Sequence, residues 1–135
     1  MNTNFQTNPN NVNSINNPTS EFVRISFATL EGTFFFKPQE IVRLEARSNY
    51  TYVFFTNRKP LLVSRVLGEY DEILSGAGFV RTHRSHLVNR QHILYIDSSG
   101  SITMLDSSKA EISRRKKREV MQTLRNTYYS QSTAA

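Results

Sequence analysis

Two short stretches hold the side chains best suited to chemistry. FVRTHRSHLVNRQHI, residues 79–93, sets Arg81, His83, Arg84, His86, Asn89 and Arg90 among Phe79, Val80, Leu87, Val88 and Ile93. Apolar anchors interleaved with polar probes are what a rigid strand needs to hold side chains toward a ligand. The second stretch, SRRKKRE at 113–119, carries five consecutive cations, Arg114 to Arg118, behind Ser113. At the start of a helix such cations cost about 0.3–1 kcal/mol each, because the macrodipole is positive there. A bound anion reverses the sign, since free N–H groups and cationic side chains converge on it. The chemistry both stretches point to is anion recognition, and a phosphate backbone supplies such an anion.

Other chemistries find less support. His83 and His86 are spaced like metal ligands, with His92 close behind. On one continuous strand, however, side chains three apart point to opposite faces, and no cysteine or carboxylate cluster completes a site. No metal and no cofactor is expected. His83 reads as a brace and His86 as an exposed residue. Asp71, Asp97 and Asp106 fall in a helix or in turns, and the sequence has neither a nucleophile elbow nor a glycine-rich phosphate loop. No catalytic residue is assigned, and the chain reads as a non-enzyme.

The elements that must position these residues are mostly strands. Ile25 and Phe27, Val42 and Leu44, and the run Tyr50 to Thr56 show two-residue alternation or aromatic and β-branched enrichment. Turn-forming residues separate these runs at regular intervals, so eight to ten short strands are expected. Helical spacing occurs at Val66, Leu67, Tyr70, Ile73 and Leu74, with Ser64 as the expected N-cap, and Gly76 and Gly78 end it. Val120, Met121 and Leu124 mark a C-terminal helix, expected to start at Ser113. Residues 1–20, rich in Asn and free of charge, are expected to be a disordered leader. Residues 21–125 then form one domain, and 126–135 a flexible tail.

The 135 residues carry a formal charge of +6, all of it after residue 20, and contain no cysteine. A basic domain of this kind attracts polyanions. No run is long and apolar enough to cross a membrane and the first residues lack the pattern of an export signal, so no membrane is expected and the location reads as cytoplasmic. Charge alone does not choose between nucleic acid, the commonest such partner, and an anionic membrane surface, and the alternative to a DNA binder is a β-rich module whose basic face meets a protein or RNA.

The order LEARSNYTYV, a short helix, FVRTHRSHLVN, a hairpin and ISRRKK resembles the LytTR DNA-binding domain of bacterial response regulators, over roughly residues 22–124. The RTHRSHLVN block is its most specific part. The resemblance implies an elongated, mostly β fold of about ten short strands in stacked sheets, with one short mid-chain helix and a C-terminal helix. It also implies that loops enter double-stranded DNA, and that copies pair on repeated half-sites. Carried over by position, the first loop is Arg47 to Thr51, the second centres on Arg84 and Ser85, and the third spans Ser113 to Lys116. Thr51, Arg84 and Arg115 are then the expected base contacts. Arg47, Asn49, Tyr50, Ser85, Ser113, Arg114 and Lys116 are the expected phosphate contacts, with His83 and Asn89 as structural support. The family is typically fused to a receiver domain, and residues 1–20 resemble none. The chain therefore reads as an output module alone, regulated by abundance, by a separate protein or through its tail.

Overall fold

Strand β3, Ile41–Arg47, lies at the centre of a five-stranded antiparallel sheet and faces a different core on each side. The computed structural model describes residues 23–134, with side chains through residue 125, so the expected leader lies outside the described residues. The sheet order is β5-β4-β3-β7-β6, with β4 at Tyr50–Phe55, β5 at Leu61–Val63, β6 at Phe79–His83 and β7 at His86–Asn89. A hairpin of β1, Ile25–Thr29, and β2, Gly32–Phe36, forms a second sheet. The third contains β8, Ile93–Ile96, β9, Ser101–Met104, and β10, Lys109–Glu111, in the order β10-β9-β8. The described residues thus form ten strands, as the sequence pattern leads one to expect.

The first core joins Ile25 and Phe27 of the hairpin, Ile41, Leu44, Val53 and Leu87 of the central sheet, and the helix α1, Leu67–Leu74. Within α1, Leu67, Tyr70 and Leu74 are buried at i, i+3 and i+7, one stripe of a 3.6-residue period. The helix is capped by Val66 in an extended conformation and without a side-chain hydrogen bond, so Ser64 is not its N-cap. An Arg65–Glu69 ion pair of 2.9 Å supports the first turn instead. After one 3-10 turn the chain reverses at Gly78, whose φ of +92° suits glycine because it has no Cβ to clash.

The second core lies on the opposite face of the central sheet. It joins Val42 and Val88 to Ile102, Met104, Ala110 and Ile112, and to Val120 and Leu124 of the terminal helix α2, Lys117–Ala134. That helix begins four residues later than expected. Ser113 N–H is still bound to the Thr82 carbonyl at 2.8 Å, and Arg114 to Lys116 form a turn before the first α-helical bond, Val120 N–H to the Lys116 carbonyl. Three of the five cations therefore precede the helix, on a turn that ends at its N-terminus. The backbone of α2 runs to Ala134, through residues expected to form a tail.

Asn89 ties these layers together. Its side chain is buried, and its amide donates to the carbonyls of Pro38 at 3.3 Å and Ile41 at 3.0 Å while its oxygen accepts from Gln91 N–H at 3.0 Å. Truncation would leave three backbone groups without their partner in a site closed to water. Asn89→Ala is expected to lower stability by about 2–3 kcal/mol, measurable as a lower urea midpoint.

Candidate nucleic-acid interface

The hairpin turns β3–β4 and β6–β7 project from the same end of the central sheet. Glu45 pairs with His86 across β3 and β7, and Ala46 N–H donates to the Ser85 carbonyl at 2.9 Å. The segment following β10 is drawn to the same end, because Thr82 donates through Oγ1 to the Glu111 carbonyl at 2.8 Å and accepts Ser113 N–H at its own carbonyl. Antiparallel register and two bonds to Thr82 thus bring three sequence-distant segments side by side.

At the first segment, Arg47, Ser48, Asn49 and Tyr50 are exposed. Ser48 has a φ of +59°, the left-handed conformation that a two-residue hairpin turn demands and that non-glycine residues adopt at a cost. Thr51 does not fit the role expected of it. It is fully buried, and its hydroxyl donates to the Arg65 carbonyl at 2.6 Å, so it has no surface to offer a base. Strand alternation accounts for this: Tyr50 and Tyr52 face one way, Thr51 and Val53 the other, into the first core.

Behind that turn stands a ladder of charges on the face of β3 and β4. Between Ile41 and Arg43 the strand bulges, so Val42 and Arg43 together oppose Phe54 and both face the second core. Arg43 is buried, with its guanidinium 4.0 Å from the Phe54 ring centre, Nη1 donating to Glu45 Oε1 at 2.8 Å and Nε to Ser108 Oγ at 2.9 Å. Glu45 uses its other oxygen to accept from Arg47 Nε at 3.1 Å, and Arg47 lies 4.5 Å over the Tyr52 ring. Burial opposes ionisation of Glu45, but hydrogen bonds from both arginines and their charges outweigh it and hold the carboxyl below its usual range. Arg47 is raised by the same partnership, chiefly through its hydrogen bond to Glu45.

The second turn is organised by its own preceding strand. Arg81 donates from Nε to the His83 carbonyl at 3.0 Å and from Nη2 to the Arg84 carbonyl at 2.6 Å, and Nη1 lies 3.5 Å from Asp71 of α1. His83 Nδ1 accepts Ser85 N–H at 3.0 Å. Arg84 is left exposed at the tip, with Ser85 half-buried beside it. His83 and His86 do not point to opposite faces. The turn between them reverses the chain, so they pair across the hairpin with ring centres 5.3 Å apart. His86 is also not simply exposed, for burial pushes its imidazole below the ordinary value and leaves Nδ1 without a hydrogen-bond partner. Among the described residues no group of three or more His, Cys, Asp or Glu is placed to hold a metal.

The second and third segments share a cleft of about 620 Å³. Arg84, Ser113, Arg115 and Lys116 line it with Arg81, His83 and Asp71. Arg114 faces elsewhere, toward Lys117, Arg118 and Arg125 around a separate hollow of about 540 Å³. Tyr50 lines a third with Leu30 and Leu62. Of the residues expected as contacts, Arg84, Ser113, Arg115 and Lys116 share one cleft, while Arg114 and Tyr50 each line a different hollow. Arg43 and Glu45 carry no role expected from sequence, Asp71 is weighed there only as a catalytic candidate, and Arg81 is expected only as one of several polar probes of the 79–93 stretch, not as the residue that braces the turn.

A β scaffold that presents basic turns along one sheet end is suited to binding a polyanion. A family model for the LytTr DNA-binding domain matches residues 31–125, and the chain belongs to the LytTR family of DNA-binding domains. Among solved structures it is similar to one described as the LytTr DNA-binding domain of a response regulator from Bacillus cereus, with 23% identity and a TM-score of 0.60 over 76% of this chain and 94% of that one. At that identity the likeness establishes the shared fold. No curated protein matches the sequence. Among the described residues no helix is long and apolar enough to cross a membrane.

The ladder at Glu45 has a pH consequence. A carboxyl held below its usual range in the folded state stabilises the fold above the unfolded value, and that contribution is lost as pH falls from the usual carboxylate range through the folded value. Urea midpoints of the wild type are therefore expected to drop on acidification. Glu45→Gln should start lower at neutral pH and show a shallower dependence.

Proposed function

We propose that this protein is a sequence-specific, double-stranded DNA-binding transcription regulator of the cytoplasm that reads DNA through turns of its β scaffold. The observation that carries the reading is the convergence of three basic segments on one sheet end in a member of a DNA-binding family. Arg84 suits a narrow, electronegative minor groove, where arginine is attracted by shape more than by base identity. Arg115, exposed on its turn, has the fork geometry to donate to O6 and N7 of guanine, a pairing worth about 1–3 kcal/mol of discrimination. Arg47, Asn49, Tyr50, Ser85, Ser113, Arg114 and Lys116 serve as phosphate contacts that set position without reading sequence. In the first segment, Thr51 is buried and the exposed side chains that remain, Arg47, Asn49 and Tyr50, make phosphate contacts, so base reading falls to Arg84 and Arg115.

Binding of two copies on repeated half-sites belongs to the same reading and rests on the family alone, and control by abundance, by a separate protein or through the tail is compatible with it.

Selection of bound sites from a random duplex pool, followed by gel shifts at several salt concentrations, tests the proposal. A preferred site should emerge, with a log–log salt slope of about −0.9 for each phosphate neutralised. Equal affinity for the selected and random duplexes at every salt would overturn sequence specificity. Arg115→Ala is expected to keep the unfolding free energy within about 0.5 kcal/mol of wild type while relaxing preference at one base pair.

A further inference from the structure

The shared cleft contains one group of the wrong sign. Asp71 projects from α1 into a space otherwise lined by Arg81, Arg84, Arg115 and Lys116, with His83 and Ser113. Its placement follows from the core, since neighbouring Tyr70 is almost wholly buried and Leu74 closes the same helical stripe. The helix therefore holds the carboxylate where it is.

Asp71 is not needed to shape the turn it faces. Arg81 is already fixed by its two short bonds to the carbonyls of His83 and Arg84, and its approach to Asp71, at 3.5 Å, is the longest of the three. Both partners remain partly open to water. The loss of such a pair has little effect on stability. The electrical effect on an incoming ligand is a different matter. A phosphate entering the cleft meets the carboxylate as well as the cations, whereas the amino group of a cytosine or adenine edge donates hydrogen bonds and is compatible with it.

We infer that Asp71 is a specificity-determining residue of the DNA-binding cleft: beside the phosphate contacts of Ser113 and Lys116 it offsets part of the positive charge of Arg81, Arg84 and Arg115, and so weakens sequence-independent attraction to phosphate more than base reading. The inference rests on the DNA-binding reading above. It assigns to α1 a part in discrimination, although α1 carries none of the cationic contact residues. A repulsive element raises specificity by weakening the unwanted complex more than the wanted one.

The test compares Asp71→Asn, Asp71→Glu and wild-type protein on the selected site and on random duplex, in gel shifts across a salt series. Asp71→Asn is expected to bind random duplex roughly two- to fivefold more tightly, the size of one partly exposed charge interaction. Its affinity for the selected site should change less, so the ratio between the two falls. The salt slope on random duplex should steepen by up to about 0.9 as Arg81 becomes available to a phosphate. Asp71→Glu should restore the wild-type ratio. A purely structural role would instead lower the thermal midpoint of Asp71→Asn and weaken both complexes together. That result, or an unchanged ratio, overturns the inference while leaving the DNA reading intact. Wild-type protein that binds neither duplex overturns both.

Discussion

Everything in this fold depends on the double duty of β3. The strand runs through the middle of the five-stranded sheet and must send apolar side chains to two cores, Ile41 and Leu44 to one and Val42 to the other. Simple alternation would set Arg43 on the same side as Ile41, in the first core. The bulge between Ile41 and Arg43 changes the phase, placing Val42 and Arg43 together on the second face. A buried guanidinium costs heavily unless it is paired and hydrogen-bonded. Here Phe54, Glu45 and Ser108 supply those partners, and Ser108 comes from the third sheet. One local irregularity thereby couples the central sheet, the third sheet and, through Glu45, the arginine beside the first turn.

The same logic recurs at the other two turns. Exposed cations stand on segments whose backbone is held from behind by less exposed polar groups: half-buried Arg81 and His83 hold the tip that carries Arg84, and buried Thr82 holds the chain leading to Arg115. Long cationic side chains lose much rotamer freedom on binding, so a turn that is already rigid reduces what remains to be ordered. Division of labour follows. The groups that shape the turns lie inward, and the groups with free surface lie outward.

Much of this was legible in the sequence, and the failures have identifiable causes. Alternation and turn chemistry located the strands, the mid-chain helix and the basic segments, because those signals are local. The role given to Thr51 failed because position in a motif was carried over without asking which face of β4 it occupies, and Tyr50, one residue away, faces outward in its place. The face assigned to His83 and His86 failed because a two-residue turn was read as continuous strand. The cap at Ser64 and the helix start at Ser113 failed for a tertiary reason. Thr82 captures Ser113 before the helix can begin, and nothing near residue 113 announces a partner thirty-one positions upstream. Buried Arg43 was beyond reach for a similar reason, since the bulge that turns it inward and the Ser108 that receives it are both products of pairing between strands.

A protein that presents its cations from turns faces a constraint that a helix does not. A helix presents its side chains from a backbone whose hydrogen bonds are satisfied internally, whereas a turn must find partners for its N–H and C=O groups elsewhere. In this chain those partners are Arg81 on the His83 and Arg84 carbonyls, the His83 ring on Ser85 N–H, and the Thr82 carbonyl on Ser113 N–H. Arg81 therefore counts among the positive charges of the cleft while two of its donor groups are already committed to backbone. The full charge of the segment overstates what is free to meet a ligand: the other cations that line the cleft are Arg84, Arg115 and Lys116, with the carboxylate of Asp71 among them.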